Sequence, residues 1–158
     1  MQTNFLTVEV LREVPAALEM VASYDTEGDW VSADRRVFAQ ASYGVNIDNA
    51  LMLDFDEDGY LCAVEILGSR ASFDVSDVSI PLSSPNALVR LTEIPQRPGA
   101  EQFDCIVNTS ATPDGARVQA MIPDVMPGAA WFSLGDMFFA AINDGRLASV
   151  LFSLSSPA

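Results

Sequence analysis

Runs of Val, Ile, Leu and Phe recur along the chain, cut at short intervals by turn-forming residues. The runs are Phe5 to Val10, Leu51 to Phe55, Tyr60 to Leu67, Leu88 to Ile94, Phe103 to Asn108, Arg117 to Ile122 and Leu147 to Leu154. The punctuation is Glu27-Gly28, Asp58-Gly59, Ser84-Pro85-Asn86, Pro98-Gly99, Pro113-Asp114-Gly115, Pro127-Gly128 and Asp144-Gly145. Short apolar runs bounded in this way predict strands joined by tight turns, and so a mainly β protein packed as a sandwich or barrel with at most one or two short helices. The stretch best suited to a helix is Pro15 to Ala22, with Pro15 at a first helical position, and eight residues make a marginal helix. The most apolar stretch, Val125 to Ile142, reads as buried strands. Gln96 to Glu101, with Pro98 and Gly99, is expected to connect two halves.

Two of these runs repeat. Laid over one another with a shift of 86 positions, Leu51 to Val64 and Met137 to Val150 share an apolar run, an Asp-Gly pair, a leucine two residues past the glycine and a valine three further on. Asp-Gly supplies the positive φ that a tight hairpin turn demands, so each copy reads as strand, turn, strand. The chain is expected to hold two similar hairpin-centred β-units, over residues 1–95 and 102–158, sharing one core.

In the first hairpin, a loop of Asp58-Gly59 pairs Phe55 with Cys62, and a loop of Asp56 to Gly59 pairs it with Tyr60; both keep the same parity. Leu51, Leu53 and Phe55 then share a core face with Tyr60, Cys62, Val64 and Ile66. Burying each large apolar side chain there is worth roughly 1.5–3 kcal/mol before entropy is subtracted. The other face holds Met52, Asp54, Leu61, Ala63, Glu65 and Leu67. Being half apolar, it is expected to meet another layer or another subunit.

Tyr24-Asp25-Thr-Glu-Gly-Asp29, followed after a spacer by Leu53-Asp-Phe-Asp-Glu-Asp-Gly-Tyr-Leu-Cys-Ala-Val-Glu-Ile-Leu67, resembles the small bacterial domain-of-unknown-function family twenty-two eighty-three. Members run from a Tyr-Asp start with an acidic turn to an Asp-Gly turn and a Gly-Ile-Glu-Ile-Leu-like strand. The likeness spans Tyr24 to Ser69; Ala63 stands where glycine is frequent, and Gly68-Ser69-Arg70 replaces an Asp-Ala-Ser ending. It implies a small β-rich fold and carries no catalytic residues over.

The same letters fit a calcium loop. Asp54, Asp56, Asp58, Gly59 and Glu65 occupy the first, third, fifth, sixth and twelfth positions of the EF-hand pattern. That loop closes on an ion only when helices flank it, and the flanks here, 44–48 and 60–67, are short β-type runs. The second copy has Ala140, Ile142 and Leu151 where the first has Asp54, Asp56 and Glu65. The first reading is therefore a solvated acidic turn without a cofactor, and the alternative is a calcium-binding module from Asp54 to Glu65. In the tighter register Asp54 and Glu65 are diagonal neighbours on one face, where repulsion would be relieved by a cation or by Arg35, Arg36 or Arg70.

Composition then narrows the chemistry. Of 158 residues 49% are apolar and the mean hydropathy is +0.21, outside the regime of disordered chains. Net charge is −14, and all 8 basic residues are arginine, scattered along the chain. Nucleic acid and anionic membranes are thus poor partners, whereas a basic protein is a good one. Without histidine or lysine there is no Ser-His-Asp triad, no imidazole base, no Schiff base and no P-loop lysine. Met1 to Val10 has no basic leader region, Glu9 and Glu13 interrupt the apolar residues from Phe5 to Val14, and no stretch of about 18 apolar residues occurs. Cys62 and Cys105, without a C-x-x-C pairing, read as reduced thiols. Trp30, Trp131, Phe132, Phe138 and Phe139 read as core aromatics.

The expectation is a soluble, cytoplasmic, non-enzymatic β protein that acts through a protein partner or as a homodimer. The alternatives are the calcium module, an acidic immunity- or inhibitor-type partner for a basic toxin or nuclease, and a β-barrel that binds or cyclises an apolar small molecule.

Overall fold

A computed structural model describes residues 5–81 and 83–154. Its strands, in chain order, are β1 (Val8–Leu11), β2 (Met20–Asp25), β3 (Trp30–Arg35), β4 (Tyr43–Ile47), β5 (Leu51–Phe55), β6 (Leu61–Ile66), β7 (Asp74–Val75), β8 (Leu88–Leu91), β9 (Gly99–Phe103), β10 (Asn108–Ala111), β11 (Arg117–Met121), β12 (Ala130–Asp136), β13 (Phe138–Asn143) and β14 (Arg146–Ser153). The fold is mainly β, as the punctuation of apolar runs predicts. Twelve strands form one strongly curled sheet, a half-barrel, and β1 and β8 form a separate antiparallel ribbon.

The sheet consists of two like units. The first runs β2-β3-β6-β5-β4 across the sheet and the second β10-β11-β14-β13-β12, the same order of first, second, fifth, fourth and third strand. Each central hairpin also carries a β-bulge three residues past its turn glycine. Cys62 is the extra residue between the pairs Asp54↔Ala63 and Phe55↔Leu61, and Ala148 is the extra residue between Ala141↔Ser149 and Ile142↔Leu147. The units join where β12 meets β2 in parallel, Gly135 opposite Met20. At the outer ends β9 adds in parallel to β4, and β7 in parallel to β10.

The core lies on the concave side. Residues of both units, among them Phe55, Ile66, Phe138 and Phe152, form one buried cluster with Leu6, Val8, Val89 and Leu91 from the ribbon and the segments beside it. Ribbon and sheet are therefore the two layers that bury each other's apolar face.

Four local expectations change. Pro15 to Ala22 is no helix: a single 3-10 turn, Ala16–Leu18, precedes β2, and six residues from Met20 pair with β3. So short a segment does not offset the cost of helix nucleation when a sheet edge offers bonds to every other residue. The strand expected over Phe103 to Asn108 lies to either side, in β9 and β10, and the expected connection itself holds most of β9. In the first hairpin Asp56 N–H donates to the Tyr60 carbonyl (2.9 Å) and Gly59 N–H to that of Asp56 (3.0 Å), so the loop is Glu57 to Gly59 and neither expected register forms: Phe55 pairs with Leu61. The bulge then turns Leu61 inward, 5% exposed, and leaves Tyr60 at the surface side. Finally, Phe138 is fully buried, but Trp30 is 43% exposed.

Candidate functional site

The four acids of the calcium pattern part company. Asp56 is absorbed by the fold: its Oδ1 accepts the N–H groups of Asp58 (3.0 Å) and Tyr60 (2.9 Å), and its Oδ2 accepts Nη1 of Arg35 (2.9 Å). The Arg35 side chain is 6% exposed and gives its Nη2 to the Leu61 carbonyl (3.0 Å), so both oxygens of Asp56 are used in tying β3 to the turn. A charge-assisted pair at this depth is costly to break from one side only. Asp58 is exposed at the turn, and its carbonyl accepts Nε of Arg90 (2.9 Å). β5 and β6, not helices, flank the loop. Among the described residues no group of three or more Asp, Glu, Cys or His side chains is arranged to hold a metal ion.

Asp54 and Glu65 do share the convex face, as their parity implies, and are diagonal there because Met52 pairs with Glu65 and Asp54 with Ala63. Arg35 does not reach between them. Instead β3 brings up a third carboxylate. Asp34 pairs with Ala63 from the other side, so one row across the sheet reads Asp34, Ala63, Asp54, Gly44, and the next reads Ser32, Glu65, Met52, Asn46. Strand spacing sets the Cα atoms of Asp34 and Asp54 roughly 9–10 Å apart, with only the methyl group of Ala63 between them. Asp54 leans toward its small neighbour: a Cβ placed on Gly44 would stand 3.3 Å from Asp54 Oδ1. Burial in this trough, and then the charge of Asp34, raise the Asp54 carboxyl above the usual carboxylate range.

The trough holds about 290 Å³ and is walled at one end by Trp30 and Met52. A neighbouring hollow shares Asp34, Asp54 and Ala63 and continues to Phe38. Phe38 is 90% exposed and Val37 beside it 54%. The equivalent strand of the second unit is different: every residue of β14 from Leu147 to Ser153 is buried, whereas β6 alternates from Cys62 onward. The convex face of the first unit is thus half apolar, acidic and open.

A second cluster joins the β2–β3 turn to the segment that follows β6. Asp29, at φ 55°, accepts the Tyr24 hydroxyl on Oδ1, and on Oδ2 it accepts the Ser69 hydroxyl and the Ala71 N–H, both at 2.7 Å. Arg70 lies 4.1 Å over the Tyr24 ring, pairs with Asp29 (3.3 Å) and donates to the Gly115 carbonyl (2.7 Å) in the corresponding turn of the second unit. The Tyr24 bond, then those of Ser69 and Ala71, hold the Asp29 carboxyl down at about 2, and the same bond raises the Tyr24 phenol. An acid so weakly basic and a phenol so weakly acidic make a structural clasp rather than a proton-transfer pair. The thiols are similarly quiet. Both cysteines are free, burial pushes Cys62 up to about 11, and burial also raises Cys105.

Compared with known protein families and with curated proteins, the chain matches none. No helix is long and apolar enough to cross a membrane among the described residues.

Proposed function

We propose that this protein is a non-enzymatic, soluble binding module of the bacterial cytoplasm. Its convex first-unit face takes a basic, partly apolar surface of another protein. The observation that carries the reading is Phe38, 90% exposed, beside the open row of Asp34, Ala63 and Asp54. With Val37 and Trp30, also exposed, Phe38 adds apolar surface rimmed by carboxylates, and apolar surface with a polar rim is the character of a protein-interaction site. An arginine of the partner laid over Ala63 would meet two carboxylates, with Trp30 at the end of the trough to stack on. A second copy is a poor occupant, because two such faces repel and each chain carries −14. An acidic inhibitor-type role toward a basic protein is the biological setting this chemistry fits.

The test is fluorescence anisotropy with a fluorescein-labelled dodecapeptide of alternating arginine and alanine. Binding at low salt should weaken about tenfold or more in the double variant Asp34→Asn, Asp54→Asn, and remain near wild type in Asp124→Asn, Asp136→Asn, which removes equal charge from the second unit. Equal losses in both variants, or no binding by the wild type, would refute the assignment.

A further inference from the structure

β9 ends the large sheet, and among the described residues its outer edge is unpaired. Gly99–Phe103 pairs in parallel with Tyr43–Ile47 and, among the described residues, with no strand on its other side. Gly99 N–H donates to the Ser42 carbonyl (3.1 Å), and the Phe103 carbonyl accepts from Asp48 N–H (3.0 Å). Bonded residues alternate in a parallel ladder, so Glu101 also faces β4, and the N–H and C=O groups of Ala100 and Gln102 point away from the sheet. Gly99, Ala100, Glu101 and Gln102 are all exposed. Natural edges are blunted by proline, charged side chains or a bulge; β9 has no proline or bulge within its five residues, and its one charge, Glu101, is an acid that a basic side chain would neutralise.

The concave side of this edge is hollow. Register places Glu101 beside Val45 and Phe103 beside Ile47, on the core-facing side. There a groove of about 520 Å³ opens, walled by Phe5, Tyr43, Leu91 and Phe103 and carrying Glu93 and Glu101. The two carboxylates outnumber the one cation of the lining, Arg97. A second copy fits badly: two β9 strands aligned antiparallel over their full length would set Glu101 opposite its own counterpart, the least favourable cross-strand pair.

We infer that the β9 edge and this groove bind an extended segment of another protein by strand addition. Main-chain groups of the segment bond to Ala100 and Gln102. Its alternate side chains enter the groove, an apolar one against Phe5, Tyr43 and Phe103 and a basic one against Glu93 and Glu101. This surface is separate from the convex trough and lies at the far end of the first unit, across β4 and β5 from Ala63.

The probe is the blocked heptapeptide Thr-Val-Thr-Lys-Thr-Val-Thr, together with two N-methylated forms, one methylated at the odd residues and one at the even residues. Only one set of alternate N–H groups faces an edge. Titration should therefore show one methylated form about tenfold weaker than the parent and the other near the parent, the scale expected for one or two net hydrogen bonds. Glu101→Gln should weaken the parent peptide, and so should Gln102→Pro, which removes an outward N–H without touching the bonds to β4. Asp34→Asn, Asp54→Asn should leave it unchanged, which separates this site from the convex face. Absence of binding at millimolar peptide, equal affinity of the two methylated forms, or loss in the Asp34, Asp54 variant would each overturn the inference.

Discussion

Val8 and Leu91 face each other across the β1–β8 ribbon, and each donates its backbone N–H, at 2.8 Å, to a turn glycine: Val8 to Gly145 and Leu91 to Gly59. The crossing is reciprocal. The strand that precedes the first unit is held by the Asp-Gly turn of the second, and the strand that precedes the second is held by that of the first. Bridges Thr7↔Arg146 and Tyr60↔Arg90 extend the same exchange. The ribbon is thus a strap across the concave face that either unit would lose without the other.

Two units strapped in this way should unfold together. Urea denaturation of the wild type is expected to show one transition with coincident fluorescence and circular dichroism curves. Leu91→Ala, at a position 7% exposed, should lower stability by about 2–5 kcal/mol while keeping a single transition. Two separated transitions in the wild type would show the units to be independent.

The join between the units depends on Gly135. Its φ is +154°, and a Cβ there would lie 1.9 Å from the Met20 carbonyl oxygen and 2.5 Å from the Met20 nitrogen. Only a bare backbone lets β12 lie against β2. Gly135→Ala should cost about 1–3 kcal/mol for the overlap alone, with backbone strain in addition. Gly128→Ala is the control for backbone strain without overlap, since Gly128 lies at φ +85° and nothing is within 4 Å of its Cβ position, so it should cost less than Gly135→Ala. Thermal melts of the two variants compare them directly.

Asp29 predicts a pH dependence of known sign. Its folded carboxyl lies at about 2 against a usual 3.8, first because Tyr24 donates to it and then because Ser69 and Ala71 do. A depressed carboxyl stabilises the fold above the unfolded value, and that contribution is lost as pH falls from about 4 toward 2. Asp29→Asn should therefore be less stable than the wild type at pH 6, with the gap closing across that window. A gap that stays constant from pH 6 to pH 2 would mean that the ionised carboxylate plays no part.

Asp54 should behave in the opposite way. Burial and the charge of Asp34 raise its folded pKa, so the ionised form opposes folding at neutral pH and the penalty disappears once both states are protonated. Asp54→Asn is expected to melt higher than the wild type at pH 7 and to lose that advantage below about pH 4. The same substitution should weaken the arginine peptide, so that stability and binding move in opposite directions. Such a trade of stability against binding is the behaviour expected of a binding-site carboxylate.

Much of the architecture is legible where its cause is local. Asp58-Gly59 and Asp144-Gly145 mark their hairpins because few residues adopt positive φ freely, and Gly59 and Gly145 lie at +86° and +70°. The parity of Leu51, Leu53 and Phe55 identifies a core face, and it places Asp54 and Glu65 together on the convex side. What escapes depends on partners distant in sequence. Met20 to Asp25 becomes a strand because β3 lies beside it on one flank and Gly135 on the other. Cys62 is displaced into a bulge, which no pattern of apolar letters reveals and which turns Leu61 inward. Arg35 looks like a surface cation and is buried against Asp56, while Asp34 joins Asp54 only through the β3–β6 register. The bare Phe38 has no sequence signal beyond its company, since an aromatic residue in an apolar-rich chain reads first as core.

The most direct test of the convex-face assignment uses the chain's 2 tryptophans. Trp30 walls the trough, and Trp131 lies half-buried on β12 of the second unit. Each gives one indole N–H signal in a ¹H–¹⁵N spectrum, assigned by Trp30→Phe. On titration with the arginine–alanine peptide, the Trp30 signal and the backbone amides of Asp34, Phe38, Asp54 and Ala63 should shift together along one saturable curve, with Trp131 unmoved. Shifts at Trp131 without Trp30, or a diffuse change over both units with no saturation, would contradict the account.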